Sequence, residues 1–198
     1  MSWLRNDFAG LDLALRDQER ANLPRRLWFS PGTSREVVFV DDAGVAIEEH
    51  NVRFDGETHF LTCRRSAKMD CPLCEVGNRS YLICLFTVLE IQEVPRDDDF
   101  IYRHYRAILA AKPYVARLIR EEKKRKTGLV GCRYRVATAS DHYNQPGQVF
   151  KFLSRVNLET YFKPQPFPYE RLYKPVSTEK MLQAVKWSRS YREDNDSE

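Results

Sequence analysis

The stretch Tyr81-Leu82-Ile83-Cys84-Leu85-Phe86-Thr87-Val88-Leu89-Glu90-Ile91 is apolar at odd and even positions alike. A strand with one face in water alternates apolar and polar residues, whereas one apolar on both faces is covered on both sides, as inside a barrel or a sandwich. The run is interrupted by Cys84 and Thr87 and is far too short to span a membrane. Arg96 to Asp99 reads as an acidic turn, and Phe100 to Ala110 as the returning strand. Upstream, Arg35 to Val40 is β-branched and strand-like, and Asp41-Asp42-Ala43-Gly44 follows as a turn. Phe60 to Cys63 reads as a short strand. Downstream, Lys112 to Lys126 is the clearest helix: Pro113 suits its first turn, Val115, Leu118 and Ile119 form an apolar stripe, and Gly128 suits its stop. Leu129 to Ala137 and Val149 to Leu153 complete the strands, with a turn at Asn144-Gln145-Pro146-Gly147 between them. Several short strands with one late helix predict a mainly β (α+β) fold. The expectation is an OB-fold-like five-stranded barrel, with a β-sandwich as the alternative.

The ends have a different character. Asp7 to Arg20 reads as a short amphipathic helix, with Phe8, Leu11 and Leu15 at helical spacing. Past Asn157 come Pro164, Pro166, Pro168 and Pro175 among Tyr161, Phe162, Phe167, Tyr169 and Tyr173, a composition that suits irregular chain wrapped over a domain. Ser177 caps a final helix through Trp187, with Val176 and Met181 placed as a hydrophobic staple. The expected organisation is therefore residues 1–24 as a helical segment, 25–157 as the barrel core, 158–188 as wrap and helix, and 189–198 as a disordered acidic tip.

The chain has 198 residues, of which 42% are hydrophobic, enough to build a core and to exclude wholesale disorder. No apolar signal segment is visible at Met1 to Asp7, so the expected compartment is the cytoplasm. Five cysteines in a reducing compartment do not suggest a disulfide set.

The net charge of +4 conceals a strong asymmetry. Between Ile101 and Arg135 there are eleven Lys and Arg residues against only Glu121 and Glu122. Arg64, Arg65 and Lys68 form a second basic cluster, and Glu193, Asp194, Asp196 and Glu198 form the acidic tip. Tyr102, Tyr105, Tyr114 and Tyr134 lie among the central bases. Rings stack on the bases of single strands while Lys and Arg track the backbone, so the pattern points to a single-stranded polyanion.

Three cysteines crowd together at Cys63, Cys71 and Cys74. Cys71-Pro72-Leu73-Cys74 has the spacing of a zinc knuckle, in which two thiolates on a tight turn grip one tetrahedral ion. Cys63 supplies a third thiolate, and either His50 or His59 can close a Cys3His site around one structural Zn2+. A redox Cys-x-x-Cys would need a strand–turn–helix context that is missing here. Cys84 and Cys132 lie in apolar strands and read as ordinary buried thiols.

His50, twelve residues, Cys63, seven residues, then Cys71-x-x-Cys74 resembles the zinc site of the T-even phage single-stranded-DNA-binding, or helix-destabilising, proteins. Cys71 to Gly77, Leu85 to Leu89 and Gly128 to Tyr134 are also similar to phage proteins with this subdomain, so the resemblance covers roughly Trp28 to Leu153. It implies an OB-fold core with an inserted zinc subdomain at about 48–78, and His50 rather than His59 as the fourth ligand. It also implies coating of single strands in DNA replication, recombination and repair, self-association along DNA, and contacts with replication proteins through the acidic C-terminal tip. That tip is brief here, a departure from the family. On this reading phosphates meet Arg64, Arg65, Lys68, Arg103, Arg106, Arg133 and Arg135, and bases stack on Tyr81, Phe86, Tyr102, Tyr105 and Tyr134. No membrane partner and no catalysis are expected. The alternatives are a zinc-containing, sequence-specific DNA-binding regulator, and a metal-dependent nuclease built on Asp97, Asp98, Asp99 and His104.

Overall fold

The computed structural model describes residues 24–54, 57–96, 99–138, 149–161 and 164–195, with only the backbone path described for 54 and 187–195. The expected helix at Asp7–Arg20, the Asp97–Asp98 part of the hairpin turn and the turn at Asn144–Gly147 lie outside the described residues.

The sheet is organised by the apolar run. It lies in β4 (Tyr81–Arg96), which with β5 (Asp99–Ala111) forms a long antiparallel hairpin paired from Cys84–Ala111 to Arg96–Asp99. The other edge of β4 is shared. β2 (Val45–Phe54) pairs with its first residues, Tyr81 to Leu85, and β1 (Ser34–Phe39) pairs with Val88 to Ile91. β3 (Glu57–Thr62) adds to the outer edge of β2. Beyond β1 follow β6 (Cys132–Ala137) and β7 (Val149–Arg155), all antiparallel. The order is β3-β2-β4-β1-β6-β7, with β5 on the far side of β4. Among the described residues β5 and β7 are not paired, so the barrel is not closed. The fold is mainly antiparallel β with a few helices.

The helices are α1 (Pro72–Glu75), α2 (Pro113–Arg125), α3 (Tyr169–Leu172) and α4 (Thr178–Asn195). α2 begins as its sequence suggests, with Lys112 as N-cap and Pro113 in the first turn. α4 begins where Ser177 places it: the Lys180 amide donates to Ser177 Oγ at 3.3 Å. It continues to Asn195, past the stop expected after Trp187. That correction has a local cause, since residues 188–195 contain no Gly or Pro to break a helix.

One face of the sheet curls around the main core. Phe39 meets Phe86 and Tyr134 edge-on at 5.7 Å each, Tyr134 stacks on Phe150 at 4.3 Å, and Val115 and Ile119 of α2 close the cluster. The other face of β4 and β5 presents Ile83, Leu85 and Ile108, covered by Phe167, Tyr169 and Tyr173 of the proline-rich segment. Gly131, at φ +77°, lies where a Cβ would come within 2.4 Å of the Val156 carbonyl oxygen, so glycine is required there for backbone direction and space alike.

Two buried carboxylates pin the outer layers. Glu49 on β2, almost fully buried, accepts two hydrogen bonds from Arg26 (2.9 and 2.7 Å) and one from the Tyr81 hydroxyl (2.8 Å). Asp41 Oδ2 accepts from the Thr87 amide (2.9 Å) and the Tyr169 hydroxyl (2.8 Å), while its Oδ1 is buried without a partner among the described residues. Burial raises the Asp41 pKa, and the hydrogen bonds from Thr87 and Tyr169 offset this only in part.

Two outcomes follow. Arg26→Ala strands the Glu49 charge and should cost about 3–5 kcal/mol of unfolding free energy. A loss below about 1 kcal/mol in urea titration would refute the assignment. A carboxyl with a raised folded pKa stabilises the fold most when protonated, below the ordinary Asp value of about 3.9, and that contribution fades as pH rises through the folded value. Stability curves for wild type and Asp41→Asn should therefore differ by a downward slope above about pH 4 that only wild type has; parallel curves would contradict it.

Candidate metal centre and nucleic-acid face

The β2–β3 hairpin and the turn after it bring four side chains together. His50 lies on β2, opposite Leu61. Cys63 directly follows β3, and its amide donates to the Glu48 carbonyl at 2.8 Å. A 3-10 turn, Arg64–Ala67, carries the chain round to Cys71, the N-cap of α1, and Cys74 lies within α1. Asn78, just past the turn, has its amide bonded to the Leu73 carbonyl at 2.9 Å. The ligand atoms of His50, Cys63, Cys71 and Cys74 all lie within 4.8 Å of one another, and this group can hold a metal ion.

Three edges of that tetrahedron can be compared with those of a metal site. Cys63 Sγ and Cys74 Sγ are 3.7 Å apart, and His50 Nε2 lies 3.3 Å from Cys71 Sγ and 3.6 Å from Cys74 Sγ. Zinc–sulfur bonds of about 2.3 Å and zinc–nitrogen bonds of about 2.0–2.1 Å imply tetrahedral edges of roughly 3.8 and 3.5 Å. The donor set is therefore compatible with a structural zinc.

The protonation chemistry agrees. Burial lowers the His50 pKa, leaving the neutral imidazole that a metal requires. His50 Nδ1 lies 3.2 Å from Asn78 Oδ1, a contact that makes Nδ1 the protonated nitrogen and leaves the Nε2 lone pair facing the thiols. Among the thiols, burial and the neighbouring Cys63 and Cys71 push Cys74 up to about 12. Cys71 is pulled down despite burial, by backbone amides and the adjacent thiols. A divalent ion would be bound by all three cysteines as thiolates.

His59 faces the same side of the hairpin as His50 but two pairs farther along the ladder. It is opposite Val52, with Nε2 4.0 Å from a Glu57 carboxylate oxygen. Position along the ladder, not side-chain direction, separates the two histidines.

The twelve side chains expected at nucleic acid fall into distinct settings. Phe86 and Tyr134 are core residues, and Tyr134 is fully buried with its hydroxyl donating to Glu122 at 3.2 Å. Neither presents a ring face to a ligand, which corrects the expectation for both: each lies on the inward parity of its strand. Tyr81 is half-buried and engaged with Glu49. Arg64 holds the Asp70 carbonyl (2.8 Å) and the Val176 carbonyl (2.9 Å). Tyr102 is 61% exposed and Tyr105 is 38% exposed. Arg65, Lys68 and Arg103 are exposed and make no ion pair among the described residues.

The remaining three arginines share one face with Tyr102. Register places Arg133, Val38, Leu89 and Arg106 in one row across four strands, and Arg135, Glu36, Ile91 and His104 in the next. Arg133 and Arg135 both bond to Glu36, the second at 2.6 Å. Burial works against the Glu36 charge, but these two guanidinium groups hold its carboxyl below the usual range. Arg106 donates to the Gln165 carbonyl at 3.1 Å and lies over the Phe167 ring at 4.3 Å. A cleft of about 700 Å³ opens here, lined by Arg35, Glu36, Glu90, Ile91, Tyr102, Arg133 and Arg135 among others.

Four further residues join this region without having been singled out. Arg25 and Arg35 both pair with the buried Glu90, and Arg25 also lies over the Tyr105 ring at 5.9 Å. Trp28 and Phe100 are about half exposed. Phe100 carried a usable signal, because it lies two positions from Tyr102 on the same strand face. Nothing local marks Arg35, whose role depends on strand pairing.

No protein-family model matches this chain, and no curated protein and no solved structure matches it either. No helix among the described residues is long and apolar enough to cross a membrane.

Cobalt(II) titration, followed through its d–d and thiolate charge-transfer bands, tests the centre. His59→Ala should bind cobalt like wild type, and His50→Ala should lose the Cys3His spectrum. Asn78→Ala should weaken affinity on the order of 10–100-fold by releasing the imidazole tautomer. A spectrum sensitive to His59 and indifferent to His50 would reverse the ligand assignment.

Proposed function

We propose that this chain is a single-stranded-DNA-binding protein without catalytic activity, built on an OB-fold-like barrel with an inserted zinc module. The observation that carries the reading is the β4–β5 hairpin: its outer part, from Ile91 to Arg106, extends past the buried core with Phe100 and Tyr102 exposed on the face that carries Arg106, Arg133 and Arg135, and with Arg103 and Tyr105 exposed on the opposite face. Stacking on such rings accepts any base at about 1–3 kcal/mol each, and duplexes hide the faces that it needs. A protein that binds only the open strands then shifts melting by mass action.

The connectivity supports the same reading. β1, β4 and β5 form a meander, α2 follows, and β6 returns to β1 with β7 beside it. In an OB-fold the second and third strands and the loops joining strands 1–2 and 4–5 bind oligonucleotides. Those strands correspond here to β4 and β5. The first loop corresponds to residues 40–80, which contain the His50–Cys63–Cys71–Cys74 centre, and Arg65 and Lys68 lie exposed on its rim. With Zn2+ bound, the ion supplies cross-linking of that loop. His50 and the three cysteines hold it, and no coordination position is left for a reacting water. The residues suit a protein that coats strands in replication, recombination and repair, with further copies along the DNA and replication proteins at the acidic tip as its partners, as the resemblance to phage helix-destabilising proteins implies.

Fluorescence titration with poly(dT) tests the proposal. Binding should fall steeply with salt, and duplex should compete poorly. Tyr102→Ala should cost about 1–3 kcal/mol. Arg103→Ala should reduce the salt slope by about 0.7. Glu36→Gln should tighten binding by freeing Arg133 and Arg135. Equal affinity for duplex, or wild-type affinity in Tyr102→Ala, would defeat this reading.

A further inference from the structure

The metal lobe has almost no core of its own. The hairpin and ligand turn contribute Val52, Leu61, Cys63, Cys71 and Leu73 to a buried cluster, which is completed from outside by Met181, Ala184 and Val185. These three are spaced i, i+3 and i+4 on α4, so they form one helical stripe. Leu73, Met181 and Ala184 have no exposed surface, whereas Leu182, on the outward side of α4, is 51% exposed. Leu73 lies between the two cysteines of the ligand turn. The side chain that receives α4 is therefore carried by the segment that the metal would hold in place.

A polar contact runs parallel to the apolar one. Arg64, one residue after the ligand Cys63, donates from Nε to the Asp70 carbonyl and from Nη1 to the Val176 carbonyl. Val176 immediately precedes the Ser177 cap of α4 and packs against the same cluster. The ligand turn itself consists of a four-residue 3-10 turn and a four-residue helix. Elements that short do not order themselves in water. Their geometry comes from the four-ligand knot; α4 rests on the sheet through Val52 and Leu61, and depends on the turn for its Leu73 and Arg64 attachments.

We propose that the metal centre is the latch of the C-terminal helix: ion bound, α4 is docked on the lobe; ion lost, α4 leaves, carrying with it Glu193 and Asp194 of its last turn. The inference rests on the zinc reading above and adds a regulated element to it, because metal occupancy then sets where α4 resides. Binding linkage is reciprocal, so undocking α4 must weaken metal affinity by the factor by which metal favours docking.

Hydrogen exchange on the full chain, zinc-loaded and after chelation, tests this together with cobalt titration of Met181→Asp. Chelation should raise exchange of the amides from 180 to 186 at least 10-fold while leaving those of β1 and of Val88 to Ile91 protected. Met181→Asp should bind cobalt on the order of 5–150-fold more weakly, the usual range of such couplings, with an unchanged spectrum. A chain that binds cobalt yet keeps α4 protected after chelation overturns the latch alone. So does uniform loss of protection across the sheet, which would make the ion a support of the whole fold. A wild-type chain that binds no metal overturns the zinc reading, and the latch with it.

Discussion

One strand serves three partners, and most of the molecule follows from that constraint. β4 gives one edge to β5 along most of its length and divides the other between β2 and β1. A flat strand cannot do this while both faces are buried. Around Thr87, where β2 has ended and β1 begins, the chain entering from β1 is tied down by the bond from the Val40 amide to the Thr87 carbonyl and by Asp41 on the Thr87 amide. On one side of the division stands the main core, and on the other the β2–β3 hairpin and the turn after it, with the four groups that can hold a metal ion. The proline-rich segment then covers the outer face across the division, with Tyr169 reaching the same Asp41.

That central strand was legible because burial on both faces leaves a composition no solvent-facing strand has. α2 was legible for a similar reason, its apolar stripe being framed by Pro113 and Gly128. β2 was not. Its middle reads Glu48-Glu49-His50-Asn51, a polar run whose partners come from elsewhere in the chain: Arg26 for Glu49, the cysteines for His50. The four-ligand set was visible through the Cys-x-x-Cys spacing, but spacing left His50 and His59 open, and only the resemblance favoured one of them. What separates them is two pairs along the strand ladder. The same limit applies to the rings. Phe86, Tyr102 and Tyr134 all occur in strands, and which parity of each strand faces the main core depends on what covers the other side.

Charge in this protein is heavily compensated from within. Arg25 and Arg35 answer Glu90, Arg26 answers Glu49, and Arg133 and Arg135 answer Glu36. Within the basic stretch from Ile101 to Arg135 this compensation by Glu36 reaches Arg133 and Arg135. Those pairs fix the separation and orientation of guanidinium groups that would otherwise swing freely, at the expense of net field.

The Glu36 pair of contacts has a consequence for any polyanion that settles on this face. Glu36 is a counterion covalently built into the site, so displacing it releases nothing to bulk solution. A phosphate that takes over Arg133 and Arg135 leaves behind a carboxylate whose low proton affinity depended on them. That carboxylate then returns toward the ordinary proton affinity of a glutamate. Salt and pH would trade places there: the arginines would register as fewer released ions than their number, and the difference would appear as proton uptake on binding in mildly acidic buffer.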